Sequence, residues 1–137
     1  MAAFKSENLI IERPASSIYN FLIDFTNFEK LMPEQVINWK STNSTCSFTI
    51  QGMADISMKV ANTIPDKRIS ITSEEAPFDF DLVSYLEKTA EDQTRARIEI
   101  EAKINPMMMM MVKRPLQNLV NIMVEKLKEE MEKDSLM

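Results

Sequence analysis

Polar and apolar positions repeat with a period of two through the middle of this chain and with a period near 3.6 close to its two ends. Phe4 to Glu12 reads as a first strand, with Leu9-Ile10-Ile11 at its end. Pro14 then stands where a helix can begin, because proline is tolerated at the first helical position. Ile18, Phe21, Leu22 and Phe25 follow at i, i+3, i+4 and i+7, which is one face of a helix. Thr26-Asn27-Phe28-Glu29 has the form of a capping box and predicts a second, short helix ending near Met32-Pro33.

Strand patterns take over from Val36. Val36 to Ser41 carries Trp39 and runs into the turn residues Thr42-Asn43-Ser44. Cys46, Phe48 and Ile50 alternate with Ser47, Thr49 and Gln51, and the only glycine, Gly52, marks the next turn. Ala54, Ile56, Met58 and Val60 alternate with Asp55, Ser57 and Lys59, with Asn62 extending the same face. Pro65-Asp66-Lys67 is another turn, Ile69 and Ile71 alternate with Ser70 and Thr72, and Glu74 to Pro77 is a break. Phe78, Phe80, Leu82, Ser84 and Leu86 then share one face, and Ala96, Ile98, Ile100, Ala102 and Ile104 share another.

Charges fix how these last two strands meet. Pairing Glu87 with Arg95 also sets Asp79 against Lys103, and it joins Leu86 to Ala96, Leu82 to Ile100 and Phe78 to Ile104 on the apolar face. A one-residue slip would turn every one of these side chains to the wrong face. Hairpin-length connections throughout imply an antiparallel sheet with one dry face and one wet face. The dry face needs a cover. Leu116, Leu119, Val120, Met123, Leu127 and Met131 form one stripe of a last helix, opened by Asn105-Pro106 and running to about Lys133. From Pro115 to Lys133 it spans roughly 28 Å, enough to cross the sheet. Pro115, which lacks an N–H, is expected to kink or restart it.

The 137 residues suit one domain, 1–137, with a core that needs no disulfide, and Cys46 is the only cysteine. Net charge is -5 without a basic stripe, which argues against nucleic acid as a partner. The longest apolar run, Met107 to Val112, is too short for stable membrane insertion, and the first residues lack the layout of a signal peptide, so a cytoplasmic address is expected. Histidine is absent, which removes His-dependent triads, His-ligated zinc and the usual proton shuttle. Neither a glycine-rich phosphate loop nor a paired-cysteine motif is present. No cofactor, metal or catalytic residue is therefore assigned, and oligomeric state is not specified. Cys46 reads as a buried, inert thiol, and Asp79 and Asp81 as part of the solvated face.

The segments IERPASSIYNFLIDFTNFEKLMP and INPMMMMMVKRPLQNLVNIMVEKLKEEME resemble the opening and the C-terminal grip helix of the SRPBCC superfamily, which includes the START and Bet v-type proteins. The resemblance covers nearly the whole chain. It implies an α+β helix-grip fold: a curved seven-stranded antiparallel sheet, two short helices after strand 1, and a long C-terminal helix across the inner face. It implies a structural role for Asp24 at the end of the first helix. In that superfamily the space between sheet and helix often holds an apolar small molecule or lipid; alternation alone shows a dry face, which either a packed core or a ligand cavity would satisfy. Binding without catalysis is the expectation, because the inward positions hold almost no ionisable group. The side chains expected to line that space are Ile56, Met58, Val60, Ile71, Phe80, Leu82, Ser84, Ile98 and Ile100 of the sheet. From the helix come Met108, Met111, Leu116, Leu119, Val120 and Met123. The five consecutive methionines, Met107 to Met111, would form an adaptable mouth, since methionine is flexible and polarizable.

Two other functions fit the same superfamily. A polyketide cyclase- or hydratase-like enzyme would need Tyr19, Tyr85 or Asp24 turned into the cavity. A protein–protein or chaperone-cofactor module would show an exposed apolar patch, expected around Trp39 and the second helix.

Overall fold

A computed structural model of the chain describes residues 2–133. Strands β1 (Ala2–Lys5) and β2 (Leu9–Ile11) come first, followed by helix α1 (Ala15–Leu22). Helix α2 (Phe25–Phe28) continues into a 3-10 turn (Glu29–Leu31). Six strands follow: β3 (Val36–Ser41), β4 (Thr45–Ile50), β5 (Ala54–Ile64), β6 (Arg68–Glu75), β7 (Phe80–Ala90) and β8 (Gln93–Ala102). Helix α3 (Pro106–Lys133) ends the described chain. All pairings are antiparallel, in the order β1-β8-β7-β6-β5-β4-β3, with β2 also on β8. This is the helix-grip arrangement, with eight strands rather than seven.

The extra strand arises because the first strand is broken. Lys5 faces Glu99 but Leu9 faces Ala96, so β1 and β2 spend one more residue than β8 between the two pairs. Ser6 fills the break: its N–H donates to the Ile98 carbonyl and its hydroxyl accepts from the Ile98 N–H, both at 2.9 Å. Such a bulge bends a strand and increases its twist. Further register shifts fall between Ile37 and Lys40 in β3, between Ser57 and Met58 and between Val60 and Asn62 in β5, and between Lys88 and Ala90 in β7. Asn38 adopts a φ of 58° in the first of these, a left-handed conformation that asparagine tolerates better than most residues. A sheet with one glycine therefore curves at bulges.

The β7–β8 hairpin has the register that charge and alternation predict. Leu82 faces Ile100, Leu86 faces Ala96, and Glu87 faces Arg95 with a 2.7 Å ion pair. Just beyond the paired residues, the Lys103 N–H donates to the Asp79 carbonyl at 2.9 Å. Asp81 faces Glu101, a mild like-charge contact on the outer face. That face is not wet throughout: Val83 and Glu99, opposite each other, are 5% and 3% exposed. Arg97 Nε donates to Glu99 Oε1 at 2.9 Å and Lys5 Nζ lies 3.9 Å away, so the buried carboxylate is paired.

The helix boundaries have local causes. Asp24, not Thr26, caps α2: its Oδ1 accepts from the Thr26 N–H at 2.9 Å and the Thr26 hydroxyl at 2.6 Å. Those bonds, the side-chain one foremost, hold the Asp24 carboxyl below the usual range. The Thr-x-x-Glu pattern misled because the helix begins two residues earlier: Asp24 is its cap, and the Thr26 hydroxyl is spent as a donor to Asp24. At the start of α3, Asn105 Oδ1 accepts from the Met108 N–H at 2.8 Å, and Pro106 takes the first helical position, where no N–H is needed. The helix does not restart at Pro115 but runs unbroken through it.

Helix α3 lies closest to β8, β1, β2 and the 3-10 turn. Its C-terminal half is fastened to β2. Lys128 Nζ donates to the Ile10 carbonyl at 2.6 Å and to Glu132 Oε2 at 2.7 Å. The Glu12 N–H donates to the same Glu132 oxygen at 2.9 Å, and Arg13 Nε donates to the Met131 carbonyl at 2.8 Å. Burial pushes the Glu132 carboxyl up, but the bonds from Lys128 and Glu12 and the charges of Lys128 and Arg13 outweigh it and hold the carboxyl low.

Candidate functional site

The dry face of the sheet and the buried stripe of α3 meet in one core. Ile98, Val120, Met123 and Leu127 are fully buried there, and α1 and α2 add Ile18, Leu22, Phe25 and Phe28. Each such side chain contributes about 1.5–3 kcal/mol by leaving water. Because α3 lies over the β1, β2 and β8 end of the sheet, side chains alone fill the distance from the helix to β4 and β5. They fill it incompletely. A cavity of about 20 Å³ remains between Phe48, Ile56 and Met58 on one side and Leu116, Leu119 and Met123 on the other. That is room for about one water molecule. Its other walls are Phe78, Phe80, Leu82 and Ile100 from β7, its approach and β8, with Ile50, Met53 and Met32 around them. Every lining side chain is apolar, and four of them are methionines.

The cavity adjoins a larger groove of about 460 Å³, open to the surface. Helix α3 forms one bank with Met111, Val112, Pro115, Asn118 and Ile122. The β4–β5 turn and the start of β3 form the other, with Gln51, Gly52, Val36, Gln35 and Pro33. Ile50, Met53, Leu116 and Leu119 belong to both cavity and groove and separate them. Gly52, at φ 77°, turns the chain at the rim, in a conformation that favours glycine.

The sequence-predicted residues divide among these places. Ile56, Met58, Phe80, Leu82, Ile100, Leu116, Leu119 and Met123 line the cavity. Ile71, Ser84, Ile98 and Val120 are buried in the packed core away from it. Ser84 lies between Ile69 and Ile98 in the sheet. Val60 and Met108 are only half-buried, Val60 because the β5 bulge ends the inward alternation beside it. Met111 lines the groove and not the cavity, and it is 74% exposed. Sequence alternation missed Met32, Phe48, Ile50, Met53 and Phe78 as cavity walls. Phe48, Ile50 and Phe78 carried the same inward signal as their neighbours, whereas Met32 and Met53 sit in turns where no period applies.

The residues that enzymatic chemistry would use stand elsewhere. Asp24 caps α2 at the surface. Tyr85 faces Arg97 across the outer face, with the guanidinium 4.1 Å from its ring centre, and Tyr19 is half-buried against the core outside the cavity. The Cys46 thiol is buried, and its desolvation pushes it up to about 12. Among the described residues no group of acidic or cysteine side chains could hold a metal, and no helix is long and apolar enough to cross a membrane. Trp39 stacks on Phe48 with ring centres 5.3 Å apart, and its buried indole N–H has no partner among the described residues. Trp39 is thus half-buried against the core and is not itself an exposed apolar side chain. Among the described residues, the large apolar side chains exposed are Ile64, Met107, Met110 and Met111.

No family model and no curated protein matches this sequence. Solved structures do match it over nearly its full length. A norcoclaurine synthase point mutant from Thalictrum flavum, solved with a transition-state analogue, has a TM-score of 0.79 at 10% identity, covering 98% of this chain and 96% of that one. A protein from Thermobifida fusca has a TM-score of 0.72 at 12% identity, covering 97% and 95%. A START superfamily protein from Mycobacterium smegmatis has a TM-score of 0.68 at 14% identity, covering 96% and 97%. At such identities the likeness is one of backbone architecture, and with the broken first strand, the bulged sheet and the long closing helix it assigns this chain to the helix-grip fold of the START and Bet v type.

Proposed function

We propose that the chain binds an apolar small molecule or a lipid, without transforming it, in the groove between α3 and the β4–β5 turn and in the cavity beneath. The supporting observation is the composition of the cavity wall: thirteen apolar side chains and no ionisable group. Such a wall recognises a ligand by buried apolar area and offers no acid, base or nucleophile to act on it. The groove has the volume of a small-ligand site, about 300–1,000 Å³ in general, at about 460 Å³. The cavity alone admits no ligand of that size, so the apolar part of a ligand enters as Met53, Met58 and Met123 change rotamer. Methionine suits this because it has three rotatable bonds and few steric preferences. A polar end would rest at the rim, beside Gln35, Gln51 and Asn118.

The test is native mass spectrometry of the purified protein, then denaturation and organic extraction, alongside a titration with palmitate. Trp39, the only tryptophan, stacks on a cavity-wall ring and reports occupancy by its fluorescence. Expected are a bound apolar species released on unfolding, and a saturable change in Trp39 emission. Leu82→Phe and Ile100→Phe fill the cavity without adding a second tryptophan and should abolish both. Binding that persists unchanged in these variants, once each is shown to be folded, would falsify the proposal.

A further inference from the structure

The first turns of α3 have a surface that the groove does not explain. Met107, Met110 and Met111 stand at i, i+3 and i+4, one face of the helix, and are 77%, 86% and 74% exposed. Three neighbouring apolar side chains turned to water are unusual on a helix whose opposite face already packs. Arg114 continues the same stripe at i+7, and Lys113 lies beside Met110 at i+3; both are exposed. Charge along α3 is uneven. From Pro106 to Val124 its only charged residues are Lys113 and Arg114, and its four glutamates begin at Glu125. The helix N-terminus adds a partial positive charge at the same end. In a chain of net charge -5, an apolar stripe thus coincides with the cationic stretch of α3. Met111 also forms part of the groove's bank, so stripe and groove are continuous.

We propose that this face docks on the surface of a bilayer containing anionic phospholipid. Met107, Met110 and Met111 enter among the headgroups, and Lys113 and Arg114 lie against the phosphates. Apolar side chains flanked by lysine and arginine are what an interfacial helix uses, and no segment needs to span the membrane. The docked groove would open toward the acyl region, the source of an apolar ligand. That loading role rests on the ligand-binding reading above, whereas docking does not.

Co-sedimentation of the full chain with vesicles tests it. One set is phosphatidylcholine alone and the other contains ~30 mol % phosphatidylglycerol, each at low and at high salt. Binding to the anionic set is expected, weakening by about tenfold or more at high salt because two cations carry the attraction. Lys113→Gln with Arg114→Gln should lower it about tenfold to thirtyfold. Met107→Ser with Met110→Ser, two side chains outside groove and cavity, should lower it about tenfold or more while the melting temperature holds. Leu82→Phe should lose palmitate yet keep vesicle binding, so failure of the ligand reading and failure of docking are distinguishable. Equal affinity for neutral and anionic vesicles, indifference to the methionine changes, or capture of an acidic peptide with no vesicle binding would each overturn the proposal.

Discussion

Leu82→Ala tests whether the wall of the cavity is dense or slack. Leu82 is 3% exposed, lies between Ile71 and Ile100 in the sheet, and borders a void of only about 20 Å³. Truncation removes about three methylene equivalents, at about 0.8 kcal/mol each, so the transfer part is about 2.4 kcal/mol. The neighbours cannot collapse freely: Ile71 and Ile100 are held by strand pairing and Met58 by the β4 ladder. Retained void then adds about 1–2 kcal/mol, at about 24 cal/mol per Å³. The expected total is about 3.5–4.5 kcal/mol, or a melting temperature lower by roughly 10–15 °C for a domain of this size. Urea denaturation with a melting curve measures both. A loss under about 1 kcal/mol would mean that Leu82 borders space already open, and the reading of the wall as packed would fail.

Arg97→Ala strips the nearest partner from Glu99 and should cost about 1–3 kcal/mol; adding Glu99→Gln should recover part of it in urea denaturation, and no recovery would count against a buried unpaired charge. Because Asp24's carboxyl is held below its unfolded value, its contribution is full above that value and is lost as pH falls through the lowered one. Asp24→Asn should therefore flatten the acid limb of the pH–stability profile, and an unaltered limb would exclude the cap as its source. Cys46, its thiol pushed up to about 12, should react with thiol reagents at pH 8 only as fast as the protein opens; rapid labelling of the native protein would contradict its burial.

How far the sequence could be read varied with the physics at each place. The β7–β8 register was legible because two constraints coincide: Glu87 meets Arg95 in the one alignment that also faces Leu82 to Ile100. The long helix was legible from its stripe, since Leu116, Val120, Met123 and Leu127 are all buried. Curvature was not. Scarce glycine left bulges as the means of bending, and bulges insert single residues without altering composition. Asn38, between the apolar pair Val36-Ile37 and Trp39, and the polar triplet Ser6-Glu7-Asn8 were the available signals. Val60 faces inward opposite Ile71, as alternation predicts, but the bulge after it leaves it only half-buried, which the alternation does not register. The size of the cavity could not be read at all, because Ile71 and Leu82 carry the same inward signal while only Leu82 meets empty space.

The fastening of α3 at one end has a thermodynamic consequence. Lys128, Glu132 and Arg13 tie its last turns to β2, whereas the turns around Pro115 lack one backbone hydrogen bond and present Met110 and Met111 to water. Free energies of local opening then rise along the helix, and amide exchange should be fast from 107 to 115 and slowest from 120 to 128. Melting the first few turns leaves the sheet ladders and the β2 fastening untouched. The exposed first turn, Met107 to Met111, can thus open and re-form at a fraction of the energy of global unfolding, while Val112 and Leu116 stay packed in the core.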